Sequence, residues 1–556
     1  MFGAFASLVP PATTGPPPKD VPPPTPLNLP QCNPLLPGST DSSGNQDHPS
    51  LVRFLQTLHR PTEVNESHFA ALGVHVHIDA PAEHVIPDPL CLPSASGWDG
   101  IDLDEARRRD HTFRMPLSNG RLSPEARVYL ERRDELSIAN QAAFRTVRRF
   151  KPEPGRPAVR LGNCYEFFRQ LEFMATYWDD TSLPPLQDEA TEQEQEQEQE
   201  SQTASTPQRT TYRTAPGSQM PAELRHNIVS AFVKLVSYDF GCNMAPPRVE
   251  PRLHLVEPPL AKSKQKSGSA IRRSSYFSSG CVFIYRTPIT REAARAGIVE
   301  GPIAAVSARN TTNFTKPTES SIDFGRELIA ALVTAQLRAR EGKVEKRIGQ
   351  GQWWATAKRW GGAEGGPIGR EVEGDAIVGD KDAFNTETPG EGGPSADAPS
   401  PSVDKPTVQE PGYPRGIPVR GAPLNKRPRK TLSVYDRYRM VRLPSSNWDR
   451  KVRYEAIGKI KGAGFDDVFV VSSLFHHICV LRVRVPDKLL KVLDGAEEEE
   501  GGGGGRCSWD KLEIWRSVWF DLFIPEQRLE AMRLLWGVMA WSMRKMDRDD
   551  EVMKDA

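Results

Sequence analysis

Residues 281–310 read CVFIYRTPITREAARAGIVEGPIAAVSARN and hold two short apolar runs, 281–287 and 301–310, separated by a short helical pattern. A third run, RLHLVE, stands upstream at 252–257. Each run has the length of a strand that is buried in a sheet, and none is long enough for a helix. The stretch therefore predicts three strands that follow one another along the chain.

Helical patterns flank these strands. One covers 221–238 and stops at Gly241, and another covers about 321–341. Beyond a long linker, further strand candidates follow at 454–462, 467–473 and 477–485. A segment at 512–523 is typical of a strand or short helix, and the last helix begins at Pro525. This order predicts helices packed on a sheet.

The N-terminal half adds helices to the same core. Residues 163–178, NCYEFFRQLEFMATYW, carry an apolar stripe at helical spacing, and 123–150 predict one long helix with Ser123 as its N-cap. The run 71–80 alternates as a strand does. We expect an α+β fold with a mixed sheet of about five or six strands, flanked by helices and interrupted by long disordered inserts.

Composition sets the boundaries between ordered and disordered segments. The chain has 556 residues with 50 Pro and 43 Gly, and it contains the repeats EQEQEQEQE and EEEEGGGGG, which have no face to bury. The predicted organisation is a disordered N-terminus at 1–50, an N-terminal part of a composite core at 51–185, a low-complexity insert at 186–219, a core segment at 220–360, an acidic-then-basic linker at 361–433, and a C-terminal segment at 434–548.

Charge is unevenly distributed although Lys plus Arg and Asp plus Glu are both 72. Residues 361–410 hold 11 acids and 3 bases, and residues 415–461 hold 14 bases and 3 acids. The basic strip could bind nucleic acid or an acidic partner, or serve as a nuclear-import address. It could equally pair with the acidic linker or solvate a domain edge. Its candidate residues are Lys426, Arg427, Arg429, Lys430, Arg437 and Arg439.

Histidines supply the weak metal candidates. His75 and His77 lie two apart on the strand at 71–80 and so share a face, with Asp79 and His84 nearby in sequence. A half-buried strand with a polar outer face gives the same pattern. His476 and His477 are adjacent, so on a strand they would point to opposite faces, and we expect no shared metal site. A histidine pair in a loop or turn is the favoured interpretation.

Three strings, NCYEFFRQLEFMATYWDD at 163–180, EGPIAAVSARNTTNF at 300–314 and REGKVEKRIGQGQWWATAKRWGG at 340–362, resemble a lineage-restricted family of uncharacterised filamentous-fungal proteins. The resemblance implies ancestry, and it brings no activity with it.

The order helix, three strands, helix and strand is also similar to the core of PD-(D/E)XK nuclease-like folds. That resemblance implies an acid on the second strand and an acid-x-Lys on the third, which hold a divalent metal. This chain has Ser307-Ala308-Arg309 on the third strand and no acid within CVFIYRT, and Glu300 precedes the third strand. The resemblance thus points to a degenerate core.

The sequence contains no complete catalytic motif, and we expect no cofactor. Our leading prediction is a non-enzymatic intracellular interaction or scaffold protein with an unknown protein partner. The alternative is a nucleic-acid-associated protein on a degenerate nuclease-like core. Because no apolar run reaches the length of a membrane span, we expect no membrane partner. The basic string favours the nucleus over the cytoplasm.

Overall fold

The computed structural model describes part of the chain, and the account below concerns that part alone. The described residues are 21–31, 50–58, 60–95, 97–151, 157–184, 209–245, 251–258, 274–287, 298–309, 314–342, 359–360, 453–498, 509 and 511–546.

The described residues form strands and helices whose bounds are as follows. The strands, β1 to β13, are Val74–His77, Cys242–Ala245, Arg252–Val256, Ser274–Ser278, Val282–Arg286, Ile298–Glu300, Ala304–Arg309, Arg359–Trp360, Arg453–Glu455, Phe465–Leu474, His477–Pro486, Leu512–Arg516 and Phe520–Asp521. The α-helices, α1 to α11, are Leu51–Leu55, Glu66–Ala71, Ala82–Val85, Leu103–Phe113, Ala126–Ser137, Asn140–Val147, Tyr165–Met174, Ala222–Ser237, Pro317–Arg338, Asp487–Leu493 and Pro525–Met543.

The centre of the fold is a mixed sheet of eight strands, larger than the five or six predicted. Its order is β1-β12-β11-β10-β7-β5-β2, and β13 pairs with β11 off this path. Strands β2, β5 and β7 run antiparallel to their neighbours in turn, whereas β10 is parallel to β7. Helix α9 connects β7 to the later strands, as a parallel pair requires a crossover. The α+β class is therefore confirmed.

Two hydrophobic cores cover the two faces of this sheet. Along β10, Phe469 and Val471 join one core, and Val468 and Val470 join the other, because successive side chains of a strand point to opposite faces. The first core holds residues of helices α5 to α8 and α11. The second core holds residues of α1, α2, α9 and α10 together with the small sheet of β3 and β4. Burial on both faces explains the nearly continuous apolar sequence of β10.

Several boundaries differ from the predicted ones. Helix α9 begins at Pro317, four residues before the predicted start, because proline fits the first helical turn and Glu319 accepts a hydrogen bond from the backbone N–H of Lys316 (3.2 Å). The predicted helix at 123–150 is instead two helices, α5 and α6, separated by the extended residues Ile138 and Ala139. The strand predicted at 454–462 ends at Glu455.

The segment expected to be disordered at the N-terminus includes described residues that pack on the first core. Leu27 and Leu29 contact that core. The carbonyl of Pro22 accepts from the Arg213 guanidinium (3.0 Å), and the Thr25 hydroxyl accepts from the Gly217 N–H (2.8 Å). Residues 21–31 thus extend the helical layer. No helix among the described residues has both the length and the hydrophobicity needed to cross a bilayer.

Candidate functional site

The third strand of the predicted nuclease-like order is β7, and its last residue enters a buried ion cluster. The Arg309 Nε lies 2.5 Å from Oδ1 of Asp323, and its Nη2 lies 3.0 Å from Oε1 of Glu327. Both acids stand on α9, and all three charged side chains are 1% exposed. The Ser472 hydroxyl, on β10, donates to Glu327 and accepts from Arg309. We call these four residues the Arg309 cluster.

Burial controls the electrostatics of the Arg309 cluster. Removal from water raises the pKa of Asp323 to about 6, although Arg309 acts in the opposite direction. For Arg309, burial lowers the pKa, but the attraction of Asp323 and Glu327 outweighs it, so the net shift of the pKa is upward. The guanidinium therefore stays charged and is held by two carboxyl groups. It is not available to a phosphate in solvent.

This cluster predicts a pH-dependent stability. An unfolded aspartate has a pKa of about 3.9, whereas the folded pKa of Asp323 is about 6. The folded state therefore binds the Asp323 proton more tightly than the unfolded state does. The stabilisation that this proton gives is fully present below the unfolded pKa and is lost as the pH rises through the folded pKa. Urea denaturation between about pH 4 and pH 7 should show wild type losing stability relative to Asp323→Asn as the pH rises. A pH-independent difference between the two proteins would contradict this prediction.

The other positions implied by the nuclease resemblance hold no acid cluster. Glu300, in β6, forms an ion pair with Arg286, and that arginine also lies 3.3 Å from Glu455. Among the described residues, these groups do not assemble into three metal-ligating side chains beside β7. Ser307 is nearly buried on the strand. The carboxylates of Glu300 and Glu455 are thus neutralised by Arg286 within the protein.

His75 and His77 share one face of β1, as predicted, with ring centroids 5.1 Å apart. Asp79 follows the strand in a left-handed conformation (φ 50°), and in the part of the chain that the structure covers these residues join no group of three ligands. Instead, His77 stacks on Trp515 of β12, with centroids 5.3 Å apart and planes 13° apart. The pattern is that of a polar and aromatic outer face of a strand.

Trp515 also makes a cation–π contact with Arg482. The Arg482 guanidinium of β11 lies 3.5 Å from the centroid of the Trp515 ring, and β1, β12 and β11 place His77, Trp515 and Arg482 directly opposite one another. Burial lowers the pKa of Arg482 to about 10, while Asp467 opposes the shift. The His77 ring and the Arg482 guanidinium both contact the Trp515 ring, and these cross-strand contacts stabilise the edge of the sheet.

His476 and His477 come together with an acid, contrary to our expectation. His476 is not on a strand: it occupies the turn between β10 and β11, after Phe475 in a left-handed conformation (φ 54°). The rule of alternating faces therefore does not apply, and the two rings have centroids 4.3 Å apart. Asp521 of β13 pairs with His477 across the sheet. Its Oδ2 lies 4.0 Å from Nε2 of His476 and 3.8 Å from Nε2 of His477.

The surroundings of this triad are mostly apolar. The rings of Trp178 and Phe523 flank His476, with centroid distances of 5.4 and 4.9 Å. Burial, together with the neighbouring His477, lowers the pKa of His476 well below its usual range. Burial also lowers the pKa of His477, although Asp521 opposes the shift. Both imidazoles are therefore neutral near pH 7 and keep a lone pair on one ring nitrogen.

Further side chains orient the acid of the triad. The Thr181 hydroxyl donates to Oδ2 of Asp521 (2.6 Å), and the Phe523 N–H donates to Oδ1 (2.9 Å). The Gln527 side chain accepts from the Asp521 N–H (2.7 Å). Sequence reasoning missed Asp521 and Thr181, because only the pairing of β13 with β11 and the packing of the 178–182 segment bring them to the histidines.

The basic candidates Lys426, Arg427, Arg429, Lys430, Arg437 and Arg439 lie outside the described residues. The end of the basic strip is described, and it belongs to the core. Tyr454 of β9 is 7% exposed, and the Arg340 guanidinium lies 5.4 Å from the centroid of its ring. Lys459 pairs with Asp487 at 2.9 Å. Tyr454 and Lys459 thus make contacts within the core segment, and the upstream part of the strip stays the candidate binding segment.

Comparison with known proteins gives no relative. No protein-family model, no curated protein and no solved structure matches the chain. The fungal family and the nuclease-like core therefore stay predictions.

Proposed function

We propose that the chain is a non-enzymatic interaction protein built on a degenerate nuclease-like core of α+β class. The Arg309 cluster carries this proposal. A nuclease of the resembled kind needs carboxylates that face solvent and bind a metal, and a cation that reaches the scissile phosphate. Arg309, which stands where that cation would be, is 1% exposed and neutralised by Asp323 and Glu327.

The order of elements supports the core assignment. Helix α8 precedes three antiparallel strands of the main sheet, β2, β5 and β7, and α9 then leads to β10, which lies parallel to β7. The predicted order differs in its first strand, because β3 pairs with β4 in the small sheet and β2 takes its place. A fold of this kind can host many functions, so the chemistry has to be argued from the side chains. In this chain Arg309, on the third strand, is buried in an ion cluster, and this arrangement supports a structural role and not a role in hydrolysis.

Incubation with supercoiled plasmid and Mg²⁺ or Mn²⁺ tests the non-enzymatic proposal. We expect the plasmid to remain supercoiled over a range of protein concentrations, with wild type and Asp323→Asn indistinguishable. Nicking by wild type that Asp323→Asn abolishes, while the variant keeps its circular dichroism spectrum, would overturn the proposal. That result would mean that the Arg309 cluster opens to the substrate.

Nucleic acid is the second candidate partner, and the string Lys426, Arg427, Arg429 and Lys430 favours it. Four cations within five residues can neutralise several phosphates of one strand. The same string is the basis for proposing a nuclear location inside the cell, since compact basic strings are read as import addresses. An acidic protein surface would offer similar charge, but it would lack the stacking surface that Tyr435, Tyr438 and Trp448 could bind.

Neutralising these four residues to glutamine should weaken binding of a short labelled single strand about tenfold at low salt, because each phosphate that the protein neutralises releases counterions. The slope of log K against log salt should fall by about 0.7 for each phosphate that the variant leaves unneutralised. Fluorescence anisotropy of the full-length chain measures both quantities. The matched control neutralises the exposed arginines Arg107, Arg108, Arg109 and Arg121.

The control keeps the same net charge as the test variant, so a purely nonspecific effect of charge would weaken both proteins equally. That outcome would count against the string as a binding segment. Lack of binding by wild type at low salt would exclude nucleic acid as the partner and leave a protein partner as the working proposal.

A further inference from the structure

His476, His477 and Asp521 have the composition of a transition-metal site. Two imidazoles and one carboxylate are ligands suited to Zn²⁺ and its neighbours in the first row, and they are poorly suited to Mg²⁺ or Ca²⁺, which prefer oxygen alone. One ligand atom from each residue lies within 4.8 Å of the others. Among the described residues this is the only group of three or more such side chains that converges in this way.

The unmet hydrogen-bonding capacity of the histidines points to a ligand. The Nδ1 atoms of both rings are buried and make no hydrogen bond, and their Nε2 atoms lie too far from Asp521 for one, at 4.0 and 3.8 Å. Buried polar groups usually have partners. A cation held between Oδ2 and one nitrogen of each ring would give each imidazole a polar partner in an apolar surrounding.

The geometry is close to what a cation requires. Bonds of about 2.1 Å in a tetrahedral site place ligand atoms about 3.4 Å apart. Each histidine–aspartate separation exceeds that value by about half an ångström, and the three ligand atoms all lie within 4.8 Å of one another. Small side-chain rotations can close this gap. The His477 side chain is 16% exposed, whereas those of His476 and Asp521 are 4% and 7% exposed. An ion can therefore enter from the His477 side, where a water molecule would complete the coordination.

We propose that His476, His477 and Asp521 bind one divalent transition-metal ion of the Zn²⁺ class. The Thr181 hydroxyl donates to Oδ2 of Asp521 and the Phe523 N–H donates to Oδ1, so both hold the carboxylate in place, which is the role of the outer partners in protein metal sites. The bound ion ties the β10–β11 turn to the segment that leads into α11. This site is independent of the proposed interaction function.

The experiment loads EDTA-treated, full-length protein with Zn²⁺, removes free metal by gel filtration and measures the retained metal by mass spectrometry. We expect about one ion per chain for wild type, in line with a three-ligand site. His477→Gln and Asp521→Asn should lose it, and the exposed His84→Gln should keep it. Thr181→Val should bind at least about tenfold more weakly.

Co²⁺ substitution identifies the ligands. Nitrogen and oxygen ligands should give visible d–d bands without the intense near-ultraviolet band of thiolate coordination. The absence of that band would show that none of the seven cysteines binds the ion. Negligible retention by wild type, equal retention by all variants, or a thiolate spectrum would each overturn the proposal. Should Asp521→Asn fail to fold, His477→Gln decides, since its side chain is the more exposed of the pair.

Discussion

Replacing Arg309 with leucine should lower the free energy of unfolding by about 3 to 5 kcal/mol. The substitution leaves Asp323 and Glu327 in a region where both are 1% exposed, without the cation that neutralises them. Ser472 can satisfy only part of one carboxylate. Removing one partner of a buried ion pair is far more destabilising than removing the pair, because the remaining charge stays desolvated.

Urea denaturation followed by circular dichroism measures this loss, and pH supplies an internal check. Without Arg309 the folded pKa of Asp323 should rise above its present value of about 6, so the deficit should be largest above that pKa and shrink towards about pH 4. Arg107→Leu, whose side chain is 59% exposed, should stay within about 0.5 kcal/mol of wild type. A loss below about 1 kcal/mol for Arg309→Leu, at neutral pH, would show that the cluster is hydrated.

The elements that the sequence predicted are those set by local pattern. The apolar runs at 281–287 and 301–310 became β5 and β7, and the stripe at 163–178 became α7, because buried strands and amphipathic helices leave a periodic signal. Strand β4, Ser274–Ser278, begins in a basic stretch that has no strand pattern. Its serines carry no apolar periodicity, and the strand forms through pairing with β3 and β8. Ser275 and Ser278 are buried.

Long-range pairing set the size of the sheet, and this could not be predicted locally. Strand β1 pairs with β12, so residues near opposite ends of the chain become neighbours, such as Val74 and Leu512. Strand β13 has two residues and lies in the segment 512–523, for which the sequence left strand and short helix open, and its pairing with β11 brings Asp521 to His477. The candidate metal site depends on that pairing. The adjacent histidines were visible in the sequence, but their shared acid was not.

The break between α5 and α6 is also stabilised by a tertiary contact, the side chain of Arg528. This side chain of α11 is 0% exposed. Its Nε donates to the carbonyl of Leu136 (2.6 Å), and its Nη2 donates to the carbonyl of Ile138. Its Nη1 donates to Oδ1 of Asn140 (2.5 Å). A buried guanidinium thus satisfies carbonyl groups that the interrupted helix leaves without N–H partners.

Arg528→Met should therefore lower the free energy of unfolding by about 3 kcal/mol. The variant leaves buried carbonyls without hydrogen-bond donors, and this cost exceeds the gain from no longer desolvating a charged guanidinium. Burial lowers the pKa of Arg528 to about 10, with Asp180 opposing the shift, so the side chain is charged at neutral pH. Arg528→Lys should recover only part of the loss, since an ammonium lacks the fork that reaches several acceptors. Urea denaturation of the two variants and wild type gives these values.

The effect should also reach the segment beside the triad. Asn140 donates to Oδ1 of Asp180 (2.8 Å), and that oxygen accepts from the Ser182 N–H (3.1 Å), next to Thr181. Faster hydrogen exchange at Ser182 in Arg528→Met is expected for this reason. Arg533→Met, on the same helix with a side chain that is 24% exposed, should change neither stability nor exchange. Equal losses of unfolding free energy in Arg528→Met and Arg533→Met would contradict this prediction. They would mean that the hydrogen bonds from Arg528 to the α5–α6 break add no stability of their own.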